Sequence, residues 1–266
     1  NIHIENVLRN LHVLTAGQNS NFEGLIRSSL QRLYEANSRP RVTDWVATIK
    51  DITLSEDSNS KGALDFLHSH LEKMTVDVYG RIFDRPQTSL QAEELLNTPT
   101  IIELHEMNTW SQAFFTGAIL TLLQDFRKLN GPAQNMHVVC LEDANLFAPK
   151  TFGTKTGFEA VSNRLAAMTL KEMRRFNEGV ILIGQRLSTI ATDVLANCNC
   201  LIVFRLTDKE EANSAVSAFG YSPYRGTGIR LADYVAKLET GHCVVRTPVT
   251  EALFEIKTVS DTSRRF

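Results

Sequence analysis

The sequence has no apolar run approaching the roughly 18 residues needed to cross a bilayer as a helix. Its longest apolar stretches, around Ile181 and Ile202, have only the length of strands. The first residues are polar and lack the charged, apolar and small-residue order of a secretory leader. The chain starts at Asn1 rather than Met, which reads as an excerpt of a longer protein or a processed N-terminus. Neither sign of charge dominates: 28 Lys and Arg against 30 Asp and Glu give a net charge of −2. Whole-molecule basicity is therefore no argument for nucleic acid, although a basic surface confined to one region would escape this count. Cysteine is scarce, with Cys140, Cys198, Cys200 and Cys243 forming no CxxC pair and no zinc-ligand spacing. All four fall in apolar runs, which predicts buried free thiols in a reducing, cytoplasmic setting.

What is present divides into two textures. Up to about residue 95 the pattern is helical. Val7, Leu8, Leu11 and Leu14 share one spacing, a polar loop follows from Gly17, and Ile26, Leu30 and Leu33 repeat the pattern. A serine-rich stretch over 51–61 reads as an exposed loop, and Leu64, Leu67 and Leu71 mark a further helix. From Pro99 onward, short apolar runs alternate with amphipathic helices. Strands are expected at 100–104, 137–141, 179–183 and 200–204, and a closing hairpin at 242–246 and 252–256. Helices are expected at 113–129, 158–176 and 209–219. Continuous apolar strands separated by helices predict an α/β fold, with a mostly parallel sheet covered by helices on both faces. In such sheets ligands bind beyond the carboxyl ends of the strands, so the polar residues there carry the chemistry.

Three clusters stand at such places. The strand 137–141 delivers Glu142 and Asp143, adjacent carboxylates of which one can hold a hydrated magnesium ion and the other orient a water. A strand running into an acidic turn gives the same pattern. The strand ending at Ile183 delivers Gly184, Gln185 and Arg186, and a neutral amide can accept from and donate to a phosphate and a water together. A polar loop residue is the bland reading of Gln185. Arg174 and Arg175 end the helix before that strand. Their guanidinium forks suit phosphate, and they equally suit the negative end of a helix dipole. No Gly-Lys followed by Ser or Thr occurs anywhere. The segment Gly153-Thr154-Lys155-Thr156 lacks the glycine spacing of a phosphate-binding loop and reads as a mobile loop, one that could face a pore.

These pieces, in this order, resemble the HerA/FtsK superfamily of motor ATPases, particularly HerA-type DNA translocases and the conjugation ATPases of type IV secretion. The resemblance runs over most of the chain and is strongest from Thr98 to Lys257, in segments 98–126, 137–149, 173–216 and 238–247. Gln185-Arg186-Leu187-Ser188 matches one of the family's most specific motifs. Phe204-Arg205-Leu206 and the acidic, amide-bearing helix after it match as well. The resemblance implies a RecA-like P-loop NTPase core over 98–266, preceded by a helical insert over 1–97. It implies ATP and Mg2+ as cofactors, a homo-oligomer, most simply a hexamer, and DNA in its central pore. Glu142 would hold magnesium, Asp143 would activate water, Gln185 would sense the γ-phosphate, and Arg186 would join the nucleotide contacts. Arg174 or Arg175 would complete a site. A nuclease or a secretion-system partner is implied by the two branches of the family. Alternatives are a conjugation or type IV secretion ATPase, and a non-catalytic structural module retaining the fold. The chain departs from the family in three places: Glu142 precedes Asp143 where Asp then Glu is usual, Asn145 replaces a histidine, and the phosphate-binding loop is absent. Without that loop the 266 residues alone are expected to bind nucleotide poorly.

Overall fold

The computed structural model describes residues 21–53, 58–84, 91–107, 109–132, 135–150, 172–250 and 252–258. The helix expected through 7–14, the loop after it, most of the helix over 158–176 and the segment 153–156 lie outside the described residues.

The helical periodicity of the first part becomes three packed helices, α1 (Asn21–Ala36), α2 (Val42–Thr53) and α3 (Ser58–Lys73). Ile26, Leu30 and Leu33 on α1, Trp45, Ile49 and Ile52 on α2, and Leu64, Leu67 and Leu71 on α3 recur every three or four residues. Each helix therefore turns one apolar stripe into a shared core. Burying each such side chain contributes about 1.5–3 kcal/mol. A polar pair inside this core is matched: Trp45 Nε1 donates to Ser29 Oγ at 2.9 Å. The loop expected over 51–61 is mostly helix, because α2 continues through Thr53 and α3 begins at Ser58. A short helix, α4 (Asp77–Phe83), ends at Asp84, whose carboxylate accepts from the Thr43 backbone N–H at 2.9 Å and its hydroxyl at 3.0 Å. The end of α4 is thereby tied to the start of α2.

The next helix, α5 (Ala92–Asn97), packs Ala92, Leu95 and Leu96 against Leu123 of α6 (Thr109–Asn130), in a cluster separate from the first core. The long helix α6 ends at Gly131, whose φ of +81° only glycine adopts without penalty, and whose N–H closes on the Arg127 carbonyl at 2.8 Å. Between α5 and α6, residues 100–104 form no strand. Ile101 is 91% exposed, and the Leu104 carbonyl accepts from the Gln112 side chain and the Met107 N–H rather than from a neighbouring strand. Apolar content alone predicted a strand there; no partner edge lies alongside it among the described residues.

Two sheets follow. Strands β1 (His137–Leu141) and β2 (Glu178–Leu182) pair in parallel, with Leu141 opposite Leu182. After β1 comes a one-turn helix, α7 (Ala144–Phe147), and after β2 the short helix α8 (Thr192–Ala196). Strand β3 (Leu201–Phe204) belongs to a second sheet, ordered β3-β4-β5 and antiparallel throughout, with β4 (His242–Arg246) and β5 (Phe254–Lys257). Helices α9 (Lys209–Ala218) and α10 (Thr227–Ala236) pack beside it, contributing Ala215, Phe219 and Val235 to its core. The molecule is α/β as expected, and the late hairpin is present as β4–β5. The sheet is not mostly parallel among the described residues: β3 runs antiparallel to β4 instead of joining β2. Arg246 on β4 donates to the carbonyls of Cys198, just before β3, and Ala218, at the end of α9, tying these segments together.

Among the described residues, cover is seen on one face of this pair only. Val139, Leu141, Val180 and Leu182 pack into a core with Leu120, Ala144 and Val194, while the alternate residues Val138, Cys140, Ile181 and Ile183 are exposed. Of the four cysteines only Cys243 is buried. Cys140 lies on the open face of β1 and Cys200 precedes β3 at the surface, so the expectation of four buried thiols is corrected.

At the amino end of the parallel pair, Glu178 is buried and receives Arg127 Nε of α6 and His137 Nδ1 of β1, each at 2.5 Å. A buried carboxylate deprived of partners is costly, and so are partners deprived of it. Replacing Glu178 with Ala is expected to lower stability by about 3–5 kcal/mol, measured by chemical denaturation. A loss below about 1 kcal/mol would show that water replaces the carboxylate there.

Candidate active site

The register of β1 and β2 decides which residues meet at their carboxyl ends. Ile183 N–H donates to the Leu141 carbonyl at 2.8 Å, and Ala144 N–H donates back to the Ile183 carbonyl at 2.9 Å. Glu142 and Asp143 on one strand, and Gly184, Gln185 and Arg186 on the other, therefore leave the sheet at the same end, about one inter-strand spacing (~4.8 Å) apart. All five are exposed.

Asp143 is one of the few non-glycine residues with positive φ, at φ 49° and ψ 50°. Aspartate tolerates this left-handed conformation better than most side chains. It stands at the N-cap of α7 but its carboxylate does not cap that helix. The turn thus presents two carboxylates outward without using Asp143 to close its own helix.

The segment after β2 is held from two sides. On one side Lys150 N–H donates to the Thr189 carbonyl at 2.6 Å and Ala191 N–H to the Ala148 carbonyl at 2.9 Å, which stitches the segment to the chain leaving α7. On the other side is Glu211 of α9, a buried carboxylate. It accepts from Ser188 N–H at 3.0 Å, from the Ser188 hydroxyl, and from Arg186 Nε at 3.3 Å. Burial opposes its ionisation, but the two Ser188 hydrogen bonds, the Arg186 hydrogen bond and the Arg186 charge outweigh it and hold the carboxyl below its ordinary value. Sequence reasoning passed over Glu211. The signal was available: it falls on the inward stripe of α9 with Ala212, Ala215 and Val216, where a charged residue is out of place unless it has partners.

Arg174 and Arg175 are not brought to this end. They form a 3-10 turn that passes through Asn177, at φ 63°, into the amino end of β2, a strand length away from Gln185. The reason is topological: the element preceding a strand delivers the chain to its amino end, not to its carboxyl end. Arg186 is 65% exposed and directs its Nε to Glu211.

A cleft of about 820 Å³ opens elsewhere, between α8 and α9, with Lys150, Lys209, Asn213, Tyr224 and Arg246 among its lining residues. Glu142, Asp143 and Gln185 do not line it. No three His, Cys, Asp or Glu side chains among the described residues form a metal cage. Magnesium keeps most of its waters and takes one or two carboxylates plus phosphate oxygens, so adjacent exposed carboxylates such as Glu142 and Asp143 fit it without such a cage. None of the described helices is long and apolar enough to cross a membrane.

No family model and no curated protein matches the sequence. Solved structures do match. VirB4 of Thermoanaerobacter pseudethanolicus aligns over 98% of this chain and 70% of its own, with a TM-score of 0.68 at 11% identity. The bacterial conjugative coupling protein TrwB aligns over 94% of this chain and 67% of its own, with a TM-score of 0.64 at 10% identity. At this identity the likeness is one of fold: the chain shares its fold with VirB4 and TrwB.

The conformation of Asp143 gives a stability test independent of chemistry. Asp143→Gly relieves a left-handed residue while adding backbone freedom to the unfolded chain, two effects of about 1 kcal/mol each and opposite sign. Thermal denaturation is expected to show little loss or a small gain. A loss well above about 1 kcal/mol would show that the Asp143 side chain itself stabilises the turn.

Proposed function

We propose that this chain is a subunit of a ring-shaped, ATP-hydrolysing motor, with a RecA-like core over 98–266 and a helical insert over 1–97. The observation that carries the proposal is the delivery of Glu142, Asp143 and Gln185 to one end of the paired strands β1 and β2. In this reading Glu142 holds magnesium, which would neutralise phosphate charge, and the exposed Asp143 carboxylate orients or deprotonates the attacking water. Gln185, one strand away, contacts the γ-phosphate, with Arg186 beside it. Aspartate is one methylene shorter than the glutamate usual at the second position, so Asp143 needs either a closer backbone or a bridging water. The left-handed turn at Asp143 is the local feature that sets where that backbone lies.

Within this class we favour a DNA translocase of the HerA type, acting as a homo-oligomer, most simply a hexamer, on DNA in its pore. The second reading, a conjugation or type IV secretion ATPase, is favoured by the fold match to TrwB, a conjugative coupling protein. Turnover stimulated by DNA alone supports the translocase; turnover that needs a secretion partner supports the other reading.

The sequence carries no phosphate-binding loop, so activity is tested in the full-length protein. Asp143→Asn, which keeps the side chain's size, is expected to retain ATP binding and to lower turnover about a hundredfold or more. Unchanged turnover would remove Asp143 from the reaction.

Arg174 and Arg175 stand at the far end of β2, so any part they take in phosphoryl transfer is on a neighbouring subunit. An arginine supplied in trans accelerates such transfers by about a thousandfold or more. Mixing Arg174→Ala/Arg175→Ala subunits with Asp143→Asn subunits is expected to restore part of the activity that each lacks alone. Confirmed mixed rings without recovery would leave the two arginines as helix-end residues.

A further inference from the structure

We propose that Glu211 is a positioning residue for Gln185, tethering the segment after β2 to helix α9; the proposal rests on the motor-ATPase reading above. Gln185 lies on a short free span. Ile183 is fixed by both its backbone bonds to the β1 side, to Leu141 and Ala144. Ser188 is fixed by Glu211 through its backbone N–H and its hydroxyl. Only residues 184–187 lie between these points, and Arg186 within them is drawn to the same carboxylate. The reach of the Gln185 amide is therefore set at one end by the acidic strand and at the other by a residue from a different part of the fold.

Glu211 is itself rigidly mounted. Asp208 caps α9 by accepting from the N–H groups of Glu210 and Glu211 at 2.9 and 3.0 Å. Ala212, Ala215 and Val216 bury the helix on the same stripe. A buried carboxylate is an expensive way to pack a helix, and an apolar residue would pack it without needing partners. What the carboxylate adds is directional: hydrogen bonds to three donors on a single loop. The opposite side of the same helix, through Lys209, Glu210, Asn213 and Ser214, lines the cleft between α8 and α9.

A positioning role predicts non-additivity. A group acting through Gln185 has nothing further to lose once Gln185 is gone, whereas a purely structural residue lowers activity by the same factor in either background. In the full-length protein, Glu211→Gln is expected to lower kcat for ATP about tenfold while leaving KM within about twofold. Gln185→Ala is expected to lower kcat at least as far, and Gln185→Ala/Glu211→Gln to match Gln185→Ala alone. Ser188→Ala removes the hydroxyl bond of the same tether while its backbone N–H bond remains, and is expected to show a smaller kcat-selective loss, which keeps the test available should Glu211→Gln unfold. If Gln185→Ala impairs turnover but Glu211→Gln and Ser188→Ala do not, or if the losses multiply in the double variant, the positioning role is wrong and the reading of the site stands. If Gln185→Ala turns over ATP at the wild-type rate, the sensor reading falls and the positioning role falls with it.

Discussion

The candidate site depends on one constraint, the in-register parallel pairing of β1 with β2. A shift of a single residue would exchange the faces of one strand, placing Val139 and Leu141 where Val138 and Cys140 now stand, and would offset the acid pair from the amide. The register is secured at both ends by different means. At the amino end the buried carboxylate of Glu178 joins the two strands to α6 through His137 and Arg127. At the carboxyl end, backbone bonds link Leu141, Ile183 and Ala144. The chemistry of one end thus rests on a charge cluster at the other.

Much of this was legible in the sequence, for a definable reason. Where a segment's neighbours are local, its pattern suffices. The stripes of α1, α2 and α3 and the run of α6 follow from spacing, and the hairpin β4–β5 follows from two apolar runs separated by a proline. The acid pair and Gln185 were also legible, because each follows directly on a strand and the strand's direction fixes which end they occupy. What failed were properties that depend on a partner distant in sequence. Residues 100–104 have strand composition but no edge beside them. Strand β3 has the same composition as β1 and β2 yet pairs antiparallel with β4, a partner some 40 residues later. Arg174 and Arg175 precede β2, which places them at its other end from Gln185.

Glu211 illustrates the converse. It stands 26 residues after Gln185, on an element that pairs with neither β1 nor β2, and it is nonetheless the residue that fixes Ser188. Its burial among alanines and valine distinguished it from the neighbouring Lys209 and Glu210, which are exposed. Helical spacing alone would have located that inward position. Only the folded chain shows that its partners come from the loop after β2.

The open face of the strands has a practical consequence for anyone handling the protein. Ile181, Ile183, Ile202 and Phe204 are each about half exposed, and Val138 little less. β-branched and aromatic side chains presented on strands in this way are adhesive toward other chains. Light scattering or gel filtration of the isolated 266 residues is expected to register contacts through these side chains alongside any specific subunit interface. Charged substitutions at Ile181 or Ile202 offer a way to separate the two, because neither residue packs in the core clusters on the opposite face.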